Sequence, residues 1–231
     1  MKFWTWAEIR EKIEAECDIQ DEDFIRPTEL LALANEAIDE AEAEIHSLYE
    51  DYFIKPVSIP VAAGNEYLSI PTYMPDIYAD KIRNILFTGV GNTVYEVKRI
   101  KETLKFAKKA VADTQTTTDL YEYFPVNRTP GNPEMLFVPK FREAGTLTVW
   151  YLRNANRLAA DTDVCDIPEF INFIFAHMKV KIYAKEGHPG YQEAFQRLEM
   201  ERERMNAVLS NRVPDGDNLL ESDTSAYDEM N

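Results

Sequence analysis

Three histidines, two cysteines and one glycine pair are the residues of this 231-residue chain whose types invite a search for chemistry. His46 and Glu50 stand four apart on a helical pattern and could share a metal, but no third ligand accompanies them, and an ordinary surface pair accounts for both. His177 has Phe173 and Lys181 one turn away, where a second ligand would have to stand, so it is expected at the surface or at a boundary. His188 falls in a turn between helices. Cys17 and Cys165 are each alone in their segment, which excludes a disulfide scaffold and a cysteine-based zinc site. Gly89-Val90-Gly91 lacks the third glycine of a phosphate cradle and fits a hairpin turn. Carboxylate pairs such as Glu40 and Glu44 could do acid–base work if desolvated in a cleft, but they lie on the polar face of a helical pattern, where solvent keeps them ordinary. No Gly-x-Ser-x-Gly, His-Glu-x-x-His or Cys-x-x-Cys occurs. Nothing in these spacings argues for an enzyme, a metal or a cofactor.

The charges say more. The chain carries 25 Lys+Arg against 41 Asp+Glu, a formal net charge of −16. Residues 1–53 hold 16 acids and 4 bases, residues 54–165 hold 12 and 14, and residues 211–231 hold 6 and 1. A general nucleic-acid binder needs positive surface to release counterions, and this chain is the reverse. Against that background Lys98, Arg99, Lys101, Lys105, Lys108 and Lys109 form a basic run. It is either a solvated loop or helix face, or a contact to the acidic helices of a second copy. Such a contact between unlike patches is heterologous, and repetition closes it into a ring. The acidic face of the early helix, Glu36, Asp39, Glu40, Glu42 and Glu44, is the matching candidate partner or a lumen lining. Leu219, Leu220 and Tyr227 are isolated apolar anchors in the acidic tail. They mark either a disordered terminus or a segment that orders on a partner.

The elements that position these groups follow from hydrophobic period. Trp6, Ile9, Ile13 and Cys17 predict a short amphipathic helix over 5–17. A long helix runs from about Thr28, a plausible N-cap, to about Phe53, with Leu30, Ala34, Ala37, Ile38, Ala41 and Ile45 on its apolar stripe. Its three alanines let another helix approach closely. From Lys55 the period becomes two. Strands are expected at Val57–Val61, Glu66–Pro71, 80–88, Thr93–Lys98, Glu134–Phe141 and Gly145–Arg153, with turns at Gly64-Asn65 and Gly91-Asn92. Residues 99–120 are ambiguous; a helix with Leu104, Ala107 and Val111 inward suits the first part, and a polar loop follows. Asp166-Ile167-Pro168-Glu169 matches a capping box, opening a helix that Gly187 ends. A last helix spans about 189–210. There is no apolar run near the roughly 18 residues that cross a bilayer, and the first residues lack a signal peptide's apolar stretch, so a soluble cytoplasmic product is expected.

The expected fold is therefore α+β: a four-helix bundle formed by the N- and C-terminal helix pairs, residues 1–54 and 161–210. An antiparallel β domain is inserted at 55–160, and an acidic extended tail occupies 211–231.

Three stretches, in this order, resemble the head-to-tail adaptor (connector) proteins of tailed bacteriophages, especially short-tailed ones. They are the helix TELLALANEAIDEAEAEI, the turn and strand GNEYLSIPTYMPDI, and the closing pair from DIPEF to AKEGHPGYQEAFQRLEMERERM. They cover most of residues 27–210. Ile70 stands where leucine is commoner in that family, and the β insert is longer. The resemblance implies a structural virion protein in the neck, assembled as a homo-oligomeric ring, usually of twelve copies. Such a ring would dock on the portal protein, receive the tail or nozzle protein and form part of the DNA channel. An acidic lining repels phosphate, so DNA would pass without specific binding. No membrane is involved. The competing readings are a phage scaffold or minor tail protein that forms no ring, and a metal-dependent hydrolase using the carboxylates.

Overall fold

Thr5 starts the first helix by a capping box. Its hydroxyl accepts the Glu8 N–H, and the Glu8 carboxylate accepts the Thr5 N–H. This reciprocal pairing satisfies two donors that a helix start otherwise leaves open. The computed structural model describes residues 2–19, 24–100 and 121–212. Among them are five α-helices: α1 (Trp6–Glu16), α2 (Pro27–Leu48), α3 (Ile70–Tyr73), α4 (Ile171–Glu186) and α5 (Tyr191–Ser210). Seven strands accompany them: β1 (Ile54–Val61), β2 (Tyr67–Ser69), β3 (Ile77–Thr88), β4 (Val94–Arg99), β5 (Tyr121–Thr129), β6 (Asn132–Val138) and β7 (Gly145–Arg153).

The chain divides into two compact units. One comprises the described residues up to Tyr52 and those from Ala155 onward; the other is Phe53–Asn154. The expected fold needs correction in both. In the helical unit α4 packs on α1, α2 and α5, while α5 also touches α2. Apolar residues surround nearly the whole of α4, whose buried set runs from Ile171 through Phe173–Met178 to Val180 and Ile182. A helix that is apolar all round sits at the centre rather than at one corner of a bundle. The start of α1 is held by backbone pairing in addition to packing. Trp6 and Ala7 donate to the Asp163 and Asp161 carbonyls at 2.8 and 3.1 Å, and the Cys165 N–H donates to the Trp4 carbonyl at 2.9 Å.

Helix ends also differ from expectation. Helix α2 stops at Leu48 and a 3-10 turn, Glu50–Phe53, follows. Thr28 lies inside α2; Arg26 is its N-cap, without a side-chain cap. The Asp166 capping box does not form, because a 3-10 turn, Pro168–Phe170, precedes α4 and no side chain caps either start. The Asp166 carboxylate instead accepts the Asn156 N–H at 3.1 Å. Gly187 does end α4, in the left-handed region at φ 68° that glycine adopts without strain.

The second unit is a seven-stranded mixed sheet in the order β1-β7-β3-β4-β5-β6-β2. It is not a small antiparallel insert: β4 and β5 run parallel, with Val97 opposite Tyr121 and Arg99 opposite Tyr123. Strand β5 has no counterpart among the expected strands, because Pro125 interrupts its pattern. The proline is tolerated because its pairing with β4 ends at Tyr123, two residues earlier. The stretch expected as a strand through Pro71 shortens to β2 and turns into α3. Alternation places Leu147, Val149 and Tyr151 of β7 inward, as expected, beside Ile59, Val61, Ile85 and Phe87. Phe87, Tyr95, Tyr121, Phe137 and Phe141 form an aromatic cluster with ring centroids 4.7–6.1 Å apart. Gly145 is required where β7 meets β3, since a Cβ there would fall 2.4 Å from the Thr88 carbonyl oxygen and 2.5 Å from the Phe87 ring.

Candidate functional site

Helix α2 puts acids on several turns, and antiparallel α4 brings basic groups down past them. Glu29 meets Lys185 at 2.7 Å, Glu36 meets Lys181 at 2.6 Å, and Glu40 meets His177 Nε2 at 2.7 Å. As the α2 number rises the α4 number falls, so the three pairs form a ladder along one seam. Arg202 of α5 adds a rung, pairing with Glu40 and lying 3.5 Å from Glu44. A second cluster holds the segment that follows the sheet. Glu42 accepts the Ala155 N–H at 2.8 Å and pairs with Arg157 at 3.1 Å, with His46 Nε2 3.6 Å away; Arg157 also pairs with Asp39. One turn earlier, the Asn35 amide exchanges two 2.9 Å hydrogen bonds with the Leu158 backbone.

Burial changes the character of these groups. His177 is only 2% exposed, so the surface or boundary position expected for it is wrong. Desolvation holds its imidazole below the ordinary histidine range, although the Glu40 carboxylate pulls the other way. It is neutral at neutral pH and donates to Glu40. Its partner stands on another helix, so inspecting Phe173 and Lys181 on its own helix could not find it. His46 is buried too, beside Glu42 rather than in a surface pair with Glu50. Burial pushes the Glu42 carboxyl up, but the nearby His46 imidazole and the hydrogen bonds from the Ala155 N–H and Arg157 outweigh it and leave it below the usual carboxylate range. The hydrogen bond from Lys181 lowers Glu36.

The expected acidic face is thus spoken for within its own chain. Glu36, Asp39, Glu40, Glu42 and Glu44 each have a cationic or imidazole partner. Glu42, 6% exposed, leaves the outward set altogether. Pairing reduces the field this face presents below what the composition of α2 suggests. Of the basic run, Lys98 and Arg99 are exposed at the end of β4, with Lys98 3.4 Å from Glu96. Lys101, Lys105, Lys108 and Lys109 lie outside the described residues, as do Leu219, Leu220 and Tyr227. Among the described residues no group of three or more His, Cys, Asp or Glu is arranged to hold a metal, and no helix is long and apolar enough to cross a membrane.

A groove of about 580 Å³ runs along the α4–α5 seam, with α1 on one side. Its lining recurs at helical spacing, Phe175, Lys179 and Tyr183 on α4 and Arg197 and Met200 on α5, with Lys12 reaching in from α1. Lys12 Nζ lies 4.1 Å from the Phe175 ring centroid. None of these positions was named from the sequence as part of a site. The signal available was the exposed Met200 on an otherwise polar stretch of α5.

A family model described as SU10 adaptor protein matches residues 4–218. No curated protein matches the chain. The matched span takes in α1, both ladder helices and the whole sheet, and with it the three stretches whose order resembles phage connectors. The chain belongs to the SU10 adaptor protein family, a phage head-to-tail adaptor family.

Proposed function

We propose that this phage adaptor works as a ring, in the twelve-copy form the resemblance implies, seated on the portal protein in the virion neck. It receives the tail or nozzle protein on its other side, and DNA passes through its centre. The observation that carries this reading is the family match over residues 4–218. Membership in a structural adaptor family also points away from catalysis. The net charge of −16 supports a conduit, because a negative lining gives phosphates no counterions to displace and no site at which to stall.

Neighbouring copies meet through unlike patches: the basic run from Lys98 to Lys109 of one against the acids of the next that stay about half-exposed beside their own partners, Glu36 and Asp39 foremost. The C-terminal anchors Leu219, Leu220 and Tyr227 dock on the portal. Mixing the chain with purified portal and measuring particle mass tests the assembly, with electron cryomicroscopy of the product locating the ring. A stoichiometric ring on the portal is the expected result; a chain that stays monomeric in the mixture overturns the proposal. Deleting residues 212–231 should abolish attachment, and retained attachment removes the tail from the docking surface.

A further inference from the structure

We infer that the α4–α5 groove is the seat of the chain's own C-terminal segment, residues 213–231, before any partner is met. The groove offers an apolar floor beside positive charge. Phe175 and Tyr183 line it, and Met200 is 62% exposed on its rim. Lys12, Lys179 and Arg197 surround that floor and outnumber the two carboxylates of the lining, Glu16 and Glu193. Lys12 and Arg197 have acidic neighbours, Glu16 and Glu201, but Lys179 has no carboxylate partner among the described residues. Residues 213–231 complement this surface: they contain six acids, no Lys or Arg, and the apolar anchors Leu219, Leu220 and Tyr227.

Where the described chain ends fixes the reach. Arg212 pairs with Glu169 and lies 5.9 Å over the Tyr52 ring, which places the exit beside the start of α4. Asn172, the first groove residue on α4, is three positions beyond Glu169. Leu219 is seven residues past Arg212, a span of up to about 23 Å when extended, and Tyr227 has about 26 Å more. The groove follows α4 from Asn172 to Tyr183, about 17 Å at helical rise. Anchors spaced like these can therefore occupy both ends. A tethered segment acts at an effective concentration in the millimolar range, which a second copy free in dilute solution does not match. The occupant is accordingly the chain's own segment.

The test uses the full chain without portal, so it stands apart from the docking proposal above. A water-soluble carbodiimide, applied to an equal mixture of light and heavy-isotope chains, joins Lys179 to carboxylates within contact range, and mass spectrometry identifies the products. The expected result is a cross-link from Lys179 to Glu221 or Asp223 within one isotope species. With it, amide exchange across 217–229 should slow about tenfold relative to a free peptide of that sequence, as roughly nine-tenths occupancy requires. Met200→Glu, at an exposed position that leaves the helix intact, should remove both signals; so should Leu219→Ser with Leu220→Ser, which touches only the tail. Cross-links confined to mixed-isotope pairs would assign the groove to a second copy. Free-peptide exchange rates unchanged by either variant would show the groove empty. Either outcome overturns the inference while leaving portal attachment to its own experiment.

Discussion

In the helical unit the elements meet through small side chains and charge. Ala34, Ala37 and Ala41 bring α2 close to its neighbours, and the seams are then bridged by Glu29–Lys185, Glu36–Lys181, Glu40–His177 and the Glu42–Arg157 cluster. In the sheet unit they meet through rings and branched chains, Phe87, Phe137, Phe141 and Tyr151 among them. Its charged pairs, Arg128–Glu134 and Lys55–Asp76, stand at the margins, although Asp76 also takes the Tyr151 hydroxyl at 2.6 Å. Area burial is indifferent to salt and to pH between 5 and 8, whereas ion pairs and buried imidazoles respond to both. The two halves of one chain should therefore fail under different conditions.

The comparison breaks first at Phe87. Replacing it with alanine empties the centre of the aromatic cluster and should cost the sheet unit about 4 kcal/mol, equally at low and high salt. Denaturant titration followed by near-ultraviolet dichroism measures it, and a strong salt dependence would contradict the account of the sheet core. Next comes Glu42→Ala, which strands the buried Ala155 N–H and leaves Arg157 with Asp39 alone, and should cost the helical unit about 3 kcal/mol. Glu42→Gln, which keeps an acceptor, should lose roughly half as much. A loss confined to near-ultraviolet signals, with the helical signal unmoved, would refute that assignment.

A smaller effect concerns pH. His177 titrates below its ordinary value when folded, so the unfolded chain binds the extra proton first and stability rises with pH through that window. Its contribution is complete above about pH 6.5 and is lost as the solution is acidified below it. Glu42 and Glu36 act the same way lower down, through the range beneath the usual carboxylate value. Thermal melting of the helical unit should accordingly fall between neutral pH and pH 5, and His177→Gln should flatten that slope; parallel wild-type and variant profiles would sink the claim. The smallest effect is Glu36→Gln, worth about 0.5 kcal/mol at low salt and nothing at high salt, as for exposed pairs generally. A double-mutant cycle with Lys181→Gln isolates it.

Much of the architecture was legible because period reports burial locally. The stripe of α2, the alternation of Leu147, Val149 and Tyr151, and the left-handed turn at Gly91-Asn92 all appear where the pattern puts them. The misses have one cause. Strand β5 hid behind Pro125, whose tolerance depends on where β4 stops pairing. His177 looked peripheral because its partner Glu40 is 137 positions away. The acids of α2 looked free because Lys181, Lys185, Arg157 and Arg202 come to them only through folding.

By itself the sequence determined most of the helices and strands, which of their faces are apolar, and that the whole is strongly acidic; these follow from neighbours within a turn or two along the chain. Tertiary structure alone decided the antiparallel register of α2 and α4, the parallel pairing of β4 with β5, and the groove beside Met200. Each of these joins residues far apart in the chain, so its energy depends on separations that no local spacing encodes.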